Sequence, residues 1–155
     1  MADIVLQHNI GAYGSMRTLS AVSSAVAGGT GDATQVTGIV LDRLGFGTTG
    51  MANTAVISLV YTTVLSAAKT LSLAYTIQTS EDESIWTTLA GAASAVVATG
   101  AGTVSGQLNI PVDLAPGGRY VRVLYTPDLS DTSTDTSETV AVGFFAGFDV
   151  LPAAL

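Results

Sequence analysis

Residues 70–89, TLSLAYTIQTSEDESIWTTL, carry the clearest secondary-structure signal in the chain. Leu71, Leu73, Tyr75 and Ile77 fall on every second position, with smaller or polar residues between them. Because successive side chains of a strand point to opposite faces, this alternation predicts a strand with one apolar face. A helix would need apolar residues three and four positions apart, and that spacing does not occur here.

An acidic turn and a second strand follow this run. Residues 80–84, SEDES, favour a turn, because carboxylates and hydroxyls bond locally to the backbone and prefer water. Residues 85–89 return to β-prone types and include the single tryptophan of the chain, Trp86. The whole stretch therefore predicts a β-hairpin with an acidic tip and with Trp86 on its return strand.

Comparable runs occur along the rest of the chain. Residues 36–46, 55–65, 103–114, 119–126 and 139–150 are rich in β-branched, aromatic and aliphatic side chains, with turn-forming residues between them. Together with the hairpin they predict about eight strands, the range of a sandwich or jelly roll. No helical stretch is long enough for crossover connections. We therefore expect an all-β, single-domain antiparallel jelly roll or β-sandwich with an N-terminal arm.

The expected domain organisation has two parts. Residues 1–35 form the arm and an Ala/Gly/Ser-rich segment of the same domain, and residues 36–155 form the β-sandwich. The β-branched run 55–65 is typical of a strand that is buried on both faces, and residues 66–69 are expected to connect it to the hairpin. Residues 90–102, rich in small side chains, are compatible with either a short helix or a strand pair.

The chain carries unusually few charges. Charged residues make up 11% of the sequence, against about 25% in a typical soluble protein. A monomer with this composition would expose much apolar surface, so we expect a homo-oligomer, a large partner surface, or both. No membrane association is expected, because Thr, Ser and Gly interrupt every long uncharged segment before it reaches the roughly 20 apolar residues of a spanning helix.

The charge balance argues against direct nucleic-acid binding. The formal net charge is −7, and phosphate recognition needs a clustered positive patch. The five basic residues are instead scattered along the sequence: Arg17, Arg43, Lys69, Arg119 and Arg122. Asp42 and Arg43 are candidates for a surface ion pair across a strand, which contributes only about 0–1 kcal/mol.

No catalytic, metal or cofactor site is predicted. The single histidine, His8, lies in the arm, and no G-x-S-x-G motif presents a serine for Ser-His-Asp hydrolysis. Glu81, Asp82 and Glu83 are adjacent at a turn, whereas glycosidase carboxylates flank a cleft. We therefore expect that the protein is not an enzyme and that it needs no cofactor.

Two binding alternatives stay open. Four acidic residues on a polar loop offer oxygen ligands of the kind that Ca²⁺ prefers, although the EF-hand pattern is missing: Asp128, Asp131, Asp135 and Glu138. Three aromatic residues, Trp86, Tyr120 and Tyr125, are candidates either for a sugar-stacking platform or for packing in the core or at a subunit interface.

Three segments carry a resemblance to a known family. They are IQTSEDESIWT at 77–87, GRYVRV at 118–123 followed by YTPDL at 125–129, and the Ser/Thr/Asp loop that leads into VAVGF at 140–144. These segments resemble the small jelly-roll decoration proteins, also called cement proteins, of tailed bacteriophages and related gene-transfer particles. The resemblance covers roughly Thr70 to Pro152, about half of the chain.

The resemblance implies a structural virion protein that is made in the host cytoplasm and bound to the outer capsid surface. There it would stabilise the expanded head by clamping neighbouring capsid subunits. Its implied partners are the major capsid protein and further copies of the chain, as a homotrimer. We expect the partner contacts at Ile4, Val5, Leu6, Tyr13, Phe46, Arg119 and Arg122. The alternative is a carbohydrate- or receptor-binding β-sandwich module of a phage head or tail fibre.

Overall fold

The computed structural model describes residues 14–46, 50–130 and 134–148. Residues 1–13 of the predicted N-terminal arm lie outside these residues, and Ser15 belongs to the first strand. The described residues form eight strands and no helix, so none of them belongs to a helix that could cross a membrane. The strands are β1 (Ser15–Thr18), β2 (Ser23–Val26), β3 (Val36–Thr37), β4 (Leu41–Asp42), β5 (Thr54–Ser80), β6 (Thr87–Asp113), β7 (Tyr120–Leu129) and β8 (Thr136–Ala146).

The strands β5 and β6 form the predicted hairpin, with residues 81–86 at its tip. Trp86 was expected on the return strand, but it lies in the tip, because β6 begins at Thr87. Each arm of the hairpin is 27 residues long. The arms are longer than expected because residues 55–65 and 70–80 belong to one continuous strand. Residues 90–102 belong to β6, so of the two alternatives for this segment the structure has an extended strand.

A bend divides β5 into two halves. The register with β6 shifts between Leu65 and Lys69, and Ala68 adopts a left-handed backbone with φ of 61°. Asp135 supports the bend, because its Oδ1 accepts hydrogen bonds from the Ser66 N–H (2.9 Å) and the Ser66 hydroxyl (2.6 Å). The expected connection at 66–69 is therefore a bend within a strand, not a loop between two strands.

The bend allows β5 to pair with different neighbours along its length. Its first half pairs with β8 and its second half pairs with β7, while β6 runs beside both halves. The sheet curls so that its two halves face each other across a common core. Tyr125 of β7 illustrates this, since its hydroxyl donates to the carbonyl of Thr139 on β8 (3.2 Å). The prediction of an antiparallel jelly roll or β-sandwich is confirmed.

One face of the first half of β5 is buried within the chain. Ala55, Ile57 and Leu59 point into the core and are 3% exposed or less. The alternate residues point outward, and Val56 and Val64 are 39% and 47% exposed. The expectation that this strand is buried on both faces is therefore wrong for the single chain, because no second layer of the described residues covers the outward side.

Arg43 holds together the loops at one end of the sandwich. The expectation that it lies at the surface is wrong, because the side chain is fully buried. The guanidinium donates to four acceptors: the carbonyls of Ala52 (2.8 Å), Gly117 (2.7 Å) and Gly118 (2.7 Å), and Oδ1 of Asn53 (3.2 Å). A charge is tolerated in this interior position because its donors are saturated by converging oxygens.

Candidate interaction surfaces

The residues expected at a partner interface are dispersed in the structure. Ile4, Val5, Leu6 and Tyr13 lie outside the described residues, as does His8. Phe46 is half-buried at the end of the sandwich. Its ring centroid lies 5.3 Å from that of Phe145 and 5.5 Å from that of Phe148, and the Arg17 guanidinium lies 4.7 Å from its centroid. Phe46 thus contributes to packing within the chain.

Arg119 is engaged in an ion pair with Asp42. The guanidinium donates from Nη2 to one carboxylate oxygen (2.6 Å) and from Nε to the other (2.9 Å). This bond is the main reason why the pKa of Asp42 lies below its usual value and the pKa of Arg119 lies above its own. The two side chains are 43% and 33% exposed, so water screens the pair and its contribution to stability is small.

Arg122, on β7, contacts Gln78 of β5 and the ring of Trp86. Its guanidinium carbon is 3.9 Å from the centroid of the Trp86 ring, close enough for a cation–π interaction. Nε and Nη2 both donate to Oε1 of Gln78, at 3.0 and 2.8 Å. The arginine is therefore oriented by β5 and covers one face of the indole.

Asp82 organises the acidic tip of the hairpin. Its carboxylate accepts bonds from the N–H groups of Ile85 (3.1 Å) and Ser84 (3.0 Å) and from the Ser84 (2.7 Å) and Ser80 (3.1 Å) hydroxyls. These bonds hold the pKa of Asp82 well below its usual value, and the bond from the Ile85 N–H contributes most. The carboxylate is committed to the turn, so its role is structural.

A shallow groove of about 400 Å³ runs between this tip and the turn that precedes β7. Its wall includes Ile85, which is 75% exposed, together with Leu89 and Pro116. The groove offers an apolar contact at the edge of the molecule, but no set of converging catalytic groups lines it in the described structure.

The structure gives little support to the calcium site or to the sugar-stacking platform. Asp135 points inward onto Ser66, Asp131 lies outside the described residues, and no group of three or more potential metal ligands occurs in the described part of the chain. Tyr125 is 1% exposed. It therefore cannot share an exposed sugar-binding platform with Trp86, and on this point the core-packing alternative for Tyr125 is confirmed.

Five exposed large hydrophobic side chains lie on one side of a half-sheet. We call it the outer face and define it by the outward residues of β5, their partners on β8 and the flanking residues of the β1–β2 region. These are Val56, Ser58, Val60, Thr62, Val64, Thr136, Glu138, Val140, Val142, Phe144, Met16, Val22 and Val26. Glu138 is the one charged side chain in this set, so the outer face is largely uncharged.

Two shallow grooves follow the strands of the outer face. One, of about 370 Å³, lies between Val26 and Val64, and the other, of about 130 Å³, lies between Val22 and Val60. Met16 and Val22 are 59% and 61% exposed. None of these residues was among the expected contacts. For the members on β5, the signal that could have found them is the run AVISLVYTTVL at 55–65, which is more apolar than a strand with one wet face requires.

Comparisons with known proteins identify the fold. The PBSX exported protein XepA, a phage protein, matches with a TM-score of 0.51 and 19% identity over 93% of this chain and 41% of its own. A chain of infectious bursal disease virus, Gx strain, matches with a TM-score of 0.50 and 14% identity over 92% of this chain and 35% of its own.

This chain thus spans less than half the length of either structure. No protein-family model matches the sequence, and no curated protein is similar to it. At these levels of identity the two structural similarities establish a shared β-sandwich fold.

Proposed function

We propose that this chain is a structural virion protein that binds the outer surface of a capsid and stabilises the expanded head by clamping neighbouring capsid subunits. The observation that carries the proposal is the outer face, a nearly uncharged and largely apolar surface on one half of the sheet. Monomeric proteins rarely expose contiguous apolar patches of this kind unless a partner covers them.

The size of the outer face is compatible with such a role. Strands about 4.8 Å apart with about 3.4 Å per residue give three strands over nine residues a projected area of roughly 440 Å². A standard specific interface buries about 800 Å² per partner, so this face supplies about half of one. On a capsid, many copies add avidity, so each contact needs only moderate strength.

Two further observations support the same function. The hairpin and the strand that follows it carry the resemblance to decoration proteins, and the fold is shared with a phage exported protein and with a chain of a virus particle. A partner that binds the expanded capsid more tightly than the unexpanded one stabilises the expanded form by mass action.

The test is co-sedimentation with expanded particles assembled from the major capsid protein of the same genome. Val60→Glu places a carboxylate at the centre of the outer face, and we expect occupancy to fall by about tenfold or more, the factor that corresponds to 1.4 kcal/mol. Ser94→Glu, at an exposed position of β6 in the other half of the sheet, is the matched control. Failure of the unmodified chain to bind particles would contradict the proposal.

The segment before the described residues provides a second test. Gly14, the first described residue, lies against the ring of Phe144 on the outer face. We expect that deleting residues 2–13, which include Ile4, Val5, Leu6 and Tyr13, weakens particle binding while the fold is kept. Unchanged occupancy would show that these residues make no contact with the capsid.

The alternative function is a carbohydrate- or receptor-binding module. It would require an exposed aromatic surface, but Arg122 covers one face of Trp86 and Tyr125 is buried. The structural role is therefore favoured. Glycan binding by the purified chain that is abolished by Trp86→Ala would support the alternative.

A further inference from the structure

The free edge of β6 is unusually exposed to pairing by another strand. Within the described structure, β6 pairs with β5 along its whole length and with no other strand. Its other side therefore presents a row of backbone groups to solvent. Natural proteins usually protect such edges with charges, prolines or bulges, because an open edge is a template for a further strand.

The bulges of β6 beyond the bend are confined to the half nearest the hairpin tip. All three register shifts beyond the bend lie there, each leaving an extra residue on β6 in the region 88–98. From Gly102 to Asp113 the register with β5 is continuous. No charged residue occurs between Thr87 and Val112. From Gly102 to Asn109, β6 is thus a regular edge without charges, prolines or bulges.

The direction of the hydrogen bonds identifies the groups on this edge. The Leu114 N–H donates to the carbonyl of Asn53. Because the ladder alternates along an antiparallel pair, the even-numbered residues of this half of β6 bond to β5. The N–H and C=O groups of four odd-numbered residues then point to the free side: Thr103, Ser105, Gln107 and Asn109.

The ends of this segment fit the same assignment. Pro111 is the next odd-numbered residue, and its missing N–H falls on the free side, the position where an edge strand accepts proline. At the other end, Gly102 has φ of 91° and interrupts the extended backbone. The usable edge therefore runs from Thr103 to Asn109.

We propose that two copies of this chain pair through Thr103–Asn109 of β6, antiparallel and related by a two-fold axis. When the axis passes through Gly106, Thr103 faces Asn109 of the second copy and Ser105 faces Gln107. Each of the four free N–H groups then meets a free carbonyl. The two half-sheets become one continuous sheet, and the two outer faces lie on the same side of it.

The second copy is a suitable occupant because the edge is complementary to itself. The four residues have small or amide side chains, which pair well across antiparallel strands. Each chain carries a net charge of −7, yet the contact brings no charged side chain opposite another. The described part of each copy has one long edge of this kind, so the contact closes after two chains and does not propagate.

This inference does not rest on capsid binding, and it predicts a different symmetry from the expected homotrimer. A two-fold contact gives assemblies with an even number of chains. Trimers that use other surfaces can be joined by it into six-chain particles, but a lone trimer cannot contain it.

The test combines mass and hydrogen exchange on the full-length chain. Light scattering behind a sizing column should give twice, or six times, the 15.6 kDa of one chain. Amide exchange measured by NMR should be slow at Ser105 and Gln107, although neither N–H has an acceptor within the described part of the chain. A mass of one or three chains would overturn the proposal. So would slow exchange of these amides in a single-chain species, since a segment of the same chain would then cover the edge.

A proline variant tests the edge directly. Gln107→Pro removes one free N–H and should convert the assembly from two chains to one, or from six to three. Ser94→Pro, at an exposed residue of the bulged half, is the matched control and should leave the mass unchanged. If Gln107→Pro does not fold, Ser105→Lys places a charge on the same edge, and it should shift the monomer–dimer equilibrium toward the monomer. An even-numbered assembly that none of these changes affects would overturn the proposal.

Discussion

Replacing Arg43 with methionine should destabilise the fold by about 3 kcal/mol. The guanidinium is the donor for the carbonyls of Ala52, Gly117 and Gly118, and two of these bonds are buried. An unsatisfied buried acceptor costs about 1–3 kcal/mol. Part of this loss is offset, because methionine needs no desolvation of a charge. For a chain of this length the expected loss corresponds to a melting temperature lower by roughly 6–12 °C.

The assay is urea unfolding at one fixed chain concentration, followed by Trp86 fluorescence and by circular dichroism. Arg119→Met is the matched control, because it removes an arginine whose ion pair with Asp42 is at the surface, and it should cost about 0–1 kcal/mol. If Arg43→Met and Arg119→Met lose the same amount, the guanidinium does not stabilise the loops in the way that its contacts indicate.

Three further changes test other parts of the fold. Because the folded-state pKa of Asp82 is depressed, its stabilising effect is present at neutral pH and is lost as the pH falls below the usual value of 3.8. Thermal unfolding of Asp82→Asn should therefore depend less on pH in that acidic range, and equal pH dependence would contradict this. Tyr125→Phe removes the bonds of a buried hydroxyl to Ser20 and Thr139 and should cost about 1–3 kcal/mol in urea unfolding; an unchanged midpoint would contradict this. Ala68→Gly removes the conformational cost of a left-handed backbone at alanine, about 1–2 kcal/mol. It adds the entropy cost of ordering a glycine, about 0.5–1 kcal/mol. The variant should unfold at slightly higher urea, and a lower midpoint would show that the bend is not strained.

The local features of the fold could be predicted from the sequence because short-range chemistry determines them. The alternation of Leu71, Leu73 and Ile77 defines a core-facing side, and all three are buried. The acidic run produces the turn because the carboxylate of Asp82 bonds to residues no more than three positions away. Periodicity and turn chemistry act within a few residues, so they can be read without knowledge of the rest of the chain.

The features that were missed depend on contacts between distant segments. Hydrogen bonds from Ser66 to Asp135, 69 residues away in the sequence, support the bend of β5. Arg43 is buried because carbonyls from Ala52 and from the turn at 117–118 converge on it. A sequence pattern gives no distance between such segments, so Arg43 resembles any surface arginine until the fold brings its acceptors together.

The two halves of β5 differ in a way that bears on function. Beyond the bend, the residues that point away from the core are small or polar, as in Ser72, Thr76 and Gln78. Before the bend they include Val56, Val60 and Val64, although the inward residues are equally apolar in both halves. Because a strand needs only one apolar face to fold, the valines are not explained by packing within the described chain.

The same half-sheet also carries the unprotected edge of β6, while the bulges and the charged tip lie on the other half. An apolar face and an open edge on one half-sheet are both costs for an isolated chain, since each promotes association. Their concentration on one half is expected if that half is covered in the assembled particle. On the proposed function, the bend at Ser66–Ala68 separates the half-sheet that contacts partners from one whose outward residues on β5 are small or polar.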